Sequence, residues 1–174
     1  MQASDVIHFW FEELIPQQHF AKDPALDANM RTRFGLTLEA AIRCELFAWR
    51  TSPEGRLAEI LVLDQFSRNI FRDIPRAFAQ DALALILAQE LVASGADRQL
   101  PLNQRAFAYM PFMHSESPLI HEQALQLFAQ PGLEVSHDFE VQHKIIIDRF
   151  GRFPHRNRIL GRASSAPEIA FLSE

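Results

Sequence analysis

The 174-residue chain has one cysteine, Cys44, and two lysines, Lys22 and Lys144. A single cysteine excludes an internal disulfide framework and a cysteine-rich zinc site, and it suits a reducing compartment. Scarce lysine carries a different message, because fifteen of the seventeen basic residues are arginine. Arginine is the cation that pairs carboxylates and phosphates in bidentate fashion and tolerates partial burial. No apolar run approaches the length of a membrane span, and "MQASDVIHFWFEEL" at the N-terminus lacks a basic leader. A cytoplasmic protein with no membrane partner is therefore expected. No glycine-rich dinucleotide or phosphate loop is visible, so no cofactor is expected.

The net charge is −5, whereas a nucleic-acid surface is usually broadly basic, so no nucleic-acid partner is expected either. Positive charge is instead concentrated in "DRFGRFPHRNRILGR", residues 148 to 162, which holds five arginines against one acid. The length suits a single domain over residues 1–174, able to bury on the order of 70% of the surface its unfolded chain exposes.

Helical periodicity runs through the chain, and no alternating apolar and polar run argues for a strand. Ser4 is placed to cap a helix reaching Leu14, before Pro16. Residues 24 to 49 carry Leu26, Met30, Phe34, Leu38, Ile42 and Phe47 at mostly helical spacing, with Gly35 as a candidate break. Ser52 and Pro53 read as cap and first residue of a helix to Phe71. Further helices are expected from Asp81 to a glycine cap at Gly95, over 103–114, 118–130 and 136–150, and in the closing "SAPEIAFL". Short loops between them predict an all-α fold of stacked antiparallel helix hairpins.

Four groups of polar residues fall where apolar ones belong. On the helix 57–72 a period of roughly 100° per residue puts Leu57, Ile60, Leu61 and Phe71 on one face, with Asp64 and Arg68 in its middle. Their spacing is that of an i, i+4 ion pair, and Arg72 extends the line by a turn. A buried charge pair must be matched, so this is either a structural pair or a pocket wall in which Asp64 orients Arg68 toward an anion. Gln65 and Asn69 add amides on the flank. On the helix 137–150, His143 lies among Phe139, Ile146, Ile147 and Phe150, as a neutral core histidine or as a general base.

In "YMPFMHSESP" an aromatic and methionine-rich helix ends at His114 and Glu116. Both could turn into one cavity with His143 or His155, but the spacing is too irregular to argue for a metal, and no metal site is expected. In the arginine-rich stretch, Gly151 and Pro154 read as a helix stop. Capping accounts for part of the charge there. Arg152, Arg156, Arg158 and Arg162 exceed their nearby acids, so they pair with distant carboxylates such as Asp64 and Glu116, face solvent, or meet an anion.

The strings "LAEILVLDQFSRNIFRDIPRAFAQD" at 57–81, "YMPFMHSE" at 109–116, and "RFGRFPHRN" with "LGR" at 149–162 together resemble the bacterial domain-of-unknown-function family 924. "FWF" at 9–11, Trp49 and "FL" at 171–172 extend the likeness over almost the whole chain. That family is tetratricopeptide-repeat-like, and the resemblance implies a right-handed superhelix of hairpins but no activity. Its recurrent polar positions would correspond to Asp64, Gln65, Arg68, Asn69, Arg72, Asp81, His114, Glu116, His143, Arg152, His155, Arg156 and Asn157.

Two functions remain open on the residues. One is a pocket for a small anion, a carboxylate or phosphate. There Arg68, Asn69, Arg72, Arg152, His155, Arg156 and Asn157 bind, and His114, Glu116, His143 and Asp64 supply acid, base or orientation for a hydrolytic or proton-transfer reaction. The other is a helical scaffold holding an acidic peptide or partner protein on its concave face. The sequence does not fix the oligomeric state.

Overall fold

Proline preceded by an oxygen-bearing side chain opens several of the helices. The computed structural model describes residues 1–173, and every regular element among them is helical. Helix α1, Ala3–His8, continues as a π-helical turn, Phe9–Glu13. It begins ahead of the expected Ser4 cap, because Asp5 turns back to accept the Gln2 N–H at 2.6 Å. Helix α2, Pro24–Ile42, is capped by Asp23, which accepts from the N–H groups of Ala25 and Leu26. Helix α3 opens at Pro53 with Ser52 accepting from the Gly55 N–H at 3.0 Å. It runs as Pro53–Leu61, passes through a π-helical turn, Val62–Phe66, and ends as Ser67–Ile70. Helices α4 (Asp81–Ala93), α5 (Leu102–Met113), α6 (Pro118–Phe128), α7 (Glu134–Phe150) and α8 (Ala166–Phe171) follow.

Helix α2 is shorter than its apolar spacing predicts, and Gly35 does not break it. The stop is at Cys44, whose backbone is left-handed at φ 58°. The Cys44 and Glu45 N–H groups donate back to the Ala41 and Ala40 carbonyls at 2.9 Å each, which satisfies the last turn in the manner usually reserved for glycine. The chain then makes a 3-10 turn, Phe47–Thr51, that lies directly on the start of α3. Gly55 permits this approach, since a Cβ there would stand 1.9 Å from the Trp49 carbonyl oxygen.

Helix α3 is the centre of the molecule. It packs against α1, α2, α4 and α5, while α4 on α5, α5 on α6 and α6 on α7 follow chain order. Leu57, Ile60, Leu61, Val62, Leu63 and Phe66 are all fully buried, which explains why its sequence is apolar nearly all round. Phe66 meets Phe9, Trp10 and Phe34 at ring distances of 5.9, 5.6 and 4.9 Å, so the two π-turns share one aromatic cluster. Each such ring contributes on the order of 1.5–3 kcal/mol by burial. No helix among the described residues is long and apolar enough to cross a membrane.

Candidate functional site

Asp64 lies in the middle of the π-turn of α3 and is fully buried. Its Oδ1 accepts from His114 Nδ1 at 2.8 Å and faces Arg68 Nη1 at 3.0 Å, and its Oδ2 accepts from Gln65 Nε2 at 2.6 Å. Burial alone would raise the Asp64 pKa. The Arg68 guanidinium and the His114 ring outweigh burial and hold the carboxylate well below its ordinary range. The i, i+4 pair expected from spacing therefore forms, and it carries a histidine as a third member.

Arg68 reaches onward to the first turn of α4, donating to the two Asp81 oxygens at 2.8 and 3.0 Å. Asp81 also accepts from Arg156 Nη1 at 3.1 Å, and Arg156 Nη2 donates to the His114 carbonyl at 3.0 Å. The Arg156 guanidinium is held between Phe78 and Phe153, 4.7 and 4.6 Å from their ring centres. Burial lowers its pKa, and Asp81 opposes that shift. Two aspartates and two arginines thus balance one another around a histidine.

A cleft lies on each side of this network, and His114 borders both. The first, of about 510 Å³, is floored by Gln65, Arg68, Asn69, Arg72, Met110 and Met113. His19 and Phe20 reach it from the connection between α1 and α2, and Val135, Phe139 and His143 reach it from α7. Phe20, Val135 and Phe139 are exposed at 72%, 71% and 59%, so this cleft has an apolar rim open to solvent. The second, of about 530 Å³, is bordered by Phe78, Asp81, Pro111, Glu116 and Arg156.

The three histidines of the first cleft have fixed tautomers. His19 Nε2 stands 2.7 Å from the Trp10 carbonyl and His143 Nδ1 stands 2.7 Å from the Phe139 carbonyl. A carbonyl only accepts, so those nitrogens carry the hydrogens. His114 likewise gives its Nδ1–H to ionised Asp64. The remaining nitrogens, His19 Nδ1, His114 Nε2 and His143 Nε2, have no hydrogen-bond partner among the described residues. Burial lowers the pKa of all three rings; for His114 the Arg68 charge adds to burial and Asp64 opposes it. Near neutral pH each ring is neutral and offers a lone pair. No three His, Cys, Asp or Glu among the described residues converge as metal ligands.

Other residues expected at the site stand elsewhere. Asn69 and Arg72 line the cleft, but both are bound to Asp27 of α2: Asn69 Nδ2 donates at 2.9 Å, and Arg72 donates through Nε and Nη2 at 2.5 and 2.8 Å. Asn69 Oδ1 and Arg72 Nη1 have no partner among the described residues. Glu116 does not join His143, because Arg162 takes both its oxygens at 2.6 and 2.9 Å and the Phe153 N–H donates to it at 2.8 Å. Burial raises the Glu116 pKa and these partners bring it below the ordinary value. Arg152 pairs with Glu168 at 2.7 and 2.9 Å, Asn157 donates to Ser164 and Glu168, and His155 is exposed. Arg152, His155 and Asn157 are outside the first cleft. The arginine cluster is thus largely matched by acids: Arg162 meets Glu116, one of the two carboxylates expected for it, whereas Arg152 meets Glu168 and Arg156 meets Asp81 instead of Asp64.

Several contributors were not read from the sequence. His19 sits in a short turn after Pro16 with no periodic signal around it. Asp81 stood among the polar positions implied by the resemblance but not among the expected site residues, although it joins Arg68 to Arg156. Met110 and Met113 belong to the "YMPFM" run, whose composition did mark it as unusual.

The solved structure of a protein of unknown function, ATU0120, from Agrobacterium tumefaciens matches with a TM-score of 0.93 and 38% sequence identity, over 98% of this chain and 96% of that one. A search of curated proteins gives no significant match. The model of the family described as bacterial protein of unknown function, DUF924, matches residues 6–174. The chain belongs to the DUF924 family of bacterial proteins.

Proposed function

We propose that the first cleft is a binding site for a small organic acid and that His114 acts there as a general base positioned by Asp64. The observation that carries this reading is the pairing of a neutral histidine with a buried, ionised aspartate at the edge of a 510 Å³ cleft. Asp64 fixes the Nδ1–H tautomer and favours the imidazolium that forms when Nε2 takes a proton. Water activated in this way would hydrolyse a carbonyl or phosphoryl group; a substrate proton taken directly would give isomerisation or elimination. Arg72 Nη1 is a cationic contact free for a carboxylate or phosphate, a weaker clamp than five arginines would make.

The exposed rim of Phe20, Val135 and Phe139 supports a second reading, a helical scaffold whose groove takes an apolar side chain of a peptide. A thermal-shift and calorimetric screen of small carboxylic and phosphoric acids separates the two. A rise in the unfolding midpoint with a wild-type ligand, lost in Arg72→Met, supports the small-molecule site. No response to any small acid, with binding of peptides only, supports the scaffold.

A further inference from the structure

The sequence pointed to arginines as the recognition groups, but the first cleft also carries three histidine nitrogens that are open acceptors, beside the open Arg72 Nη1 and the Ser136 hydroxyl. His19 Nδ1, His114 Nε2 and His143 Nε2 all present lone pairs, because the opposite nitrogen of each ring is committed to a carbonyl or carboxylate. A bare oxyanion placed against such nitrogens would meet lone pair against lone pair. A hydroxyl would supply one of the missing hydrogens and an ammonium group up to three. The apolar part of the lining, Phe20, Met110, Met113, Val135 and Phe139, suits an aliphatic or aromatic body. The volume falls in the range of small-molecule sites, roughly 300–1,000 Å³.

We propose that the first cleft selects a hydrophobic acid that also carries a hydroxyl or amine donor, and that the lone pairs of His19, His114 and His143 read that donor. This rests on the small-acid reading of the cleft and narrows it to a substrate class. Arg72 Nη1 takes the acid, the aromatic and methionine walls take the body, and the histidines reject analogues that lack the donor. His19 and His143 act as specificity residues, while His114 combines recognition with proton transfer. Sites built to pair a polar group discriminate against the analogue without it more strongly than apolar pockets discriminate by size, because an unpaired buried acceptor is left behind.

The molecule contains its own reporter. The His19 ring stacks on Trp10, with centres 4.6 Å apart and planes at 19°. Trp49 is the second of two tryptophans, so Trp49→Phe leaves Trp10 as the sole indole signal. Binding of 3-phenyllactate and 3-phenylpropanoate, which differ by one hydroxyl, is measured by Trp10 fluorescence in that background and by calorimetry in the wild type. The expected result is about tenfold tighter binding of 3-phenyllactate, with the preference reduced to about twofold by His19→Phe or by His143→Phe, whichever removes the acceptor of its single hydroxyl hydrogen. Equal affinity of the wild type for the two acids would overturn the donor inference and leave the small-acid site standing. Failure of both to bind would overturn the inference together with the reading beneath it. The wild-type comparison is decisive even if a histidine variant does not fold.

Discussion

His114 gives its Nδ1–H to Asp64 across 2.8 Å, joining the end of α5 to the π-turn of α3 through an acid that is fully buried. This contact ties the central helix to the wall of the first cleft. Arg68 stands 3.0 Å from the same oxygen, so removing the carboxylate leaves a cation short of one of its partners. Asp64→Asn is expected to lower the unfolding free energy by about 3–5 kcal/mol, the range for breaking a buried ion pair. Urea denaturation measures this, and a loss below about 1 kcal/mol would mean that Asp81 alone satisfies Arg68.

A second buried pair lies outside the clefts and is expected to behave differently. His121 Nδ1 meets Glu140 Oε1 at 2.6 Å and its Nε2 meets the Ser115 carbonyl at 2.8 Å, with both side chains fully buried. Facing acceptors on both sides, the pair holds one shared proton in addition to the Nε2–H. Glu140 Oε2 is buried with no partner among the described residues. The single variants His121→Leu and Glu140→Leu should each cost about 3–5 kcal/mol, while the double variant should cost much less than their sum, because it removes both desolvated groups together. A double-mutant cycle tests this, and additive losses would contradict it.

Gly55→Ala is expected to be severe for a first-turn helical position, where alanine usually stabilises. The added Cβ meets backbone, not a side chain that can swing away. A loss of at least about 2 kcal/mol is expected, from displacement of the Phe47–Thr51 turn, and Gly35→Ala is the control because nothing lies within 4 Å of its Cβ. Stabilisation by both substitutions would contradict the close approach.

Stability should fall as the pH drops from 7 toward 5. His19, His114 and His143 have folded pKa values below the ordinary 6.5, so below 6.5 the unfolded chain binds protons that the folded one refuses. Their contribution is complete above 6.5 and declines below it. Asp64 adds a further loss at lower pH, because its depressed pKa gives stability that is present above the ordinary carboxylate value of 3.8 and is lost as pH falls below it. Thermal midpoints at pH 8, 7, 6 and 5 measure this. His143→Phe should flatten the decline between 7 and 5, and an unchanged profile would assign it to other groups.

Several residues of the candidate site were legible in the sequence, whereas the hydrogen bonds that join them were not. Asp64 and Arg68 declared themselves as charges on an apolar helical face, and that local spacing survived into a 3.0 Å contact despite the intervening π-turn. His143 also stood out, but a helical wheel could not say that Phe139 beside it is 59% exposed, so that its face forms a cleft wall instead of core. The partners of the arginine cluster lie far along the chain, as Arg156 with Asp81 and Arg162 with Glu116 show. Periodicity carries no information about such pairings. His19 gave no signal because its role depends on the Trp10 carbonyl that fixes its tautomer.

The most direct test of the account is long-range proton–nitrogen NMR of the seven histidine imidazoles at pH 7, recorded as 3-phenyllactate is added. The account predicts that His114 is neutral with its hydrogen on Nδ1 before addition, and that His19, His114 and His143 shift together while His8, His121, His137 and His155 stay in place. A His114 imidazolium at pH 7, or a titration that leaves the three cleft rings unmoved, would contradict it.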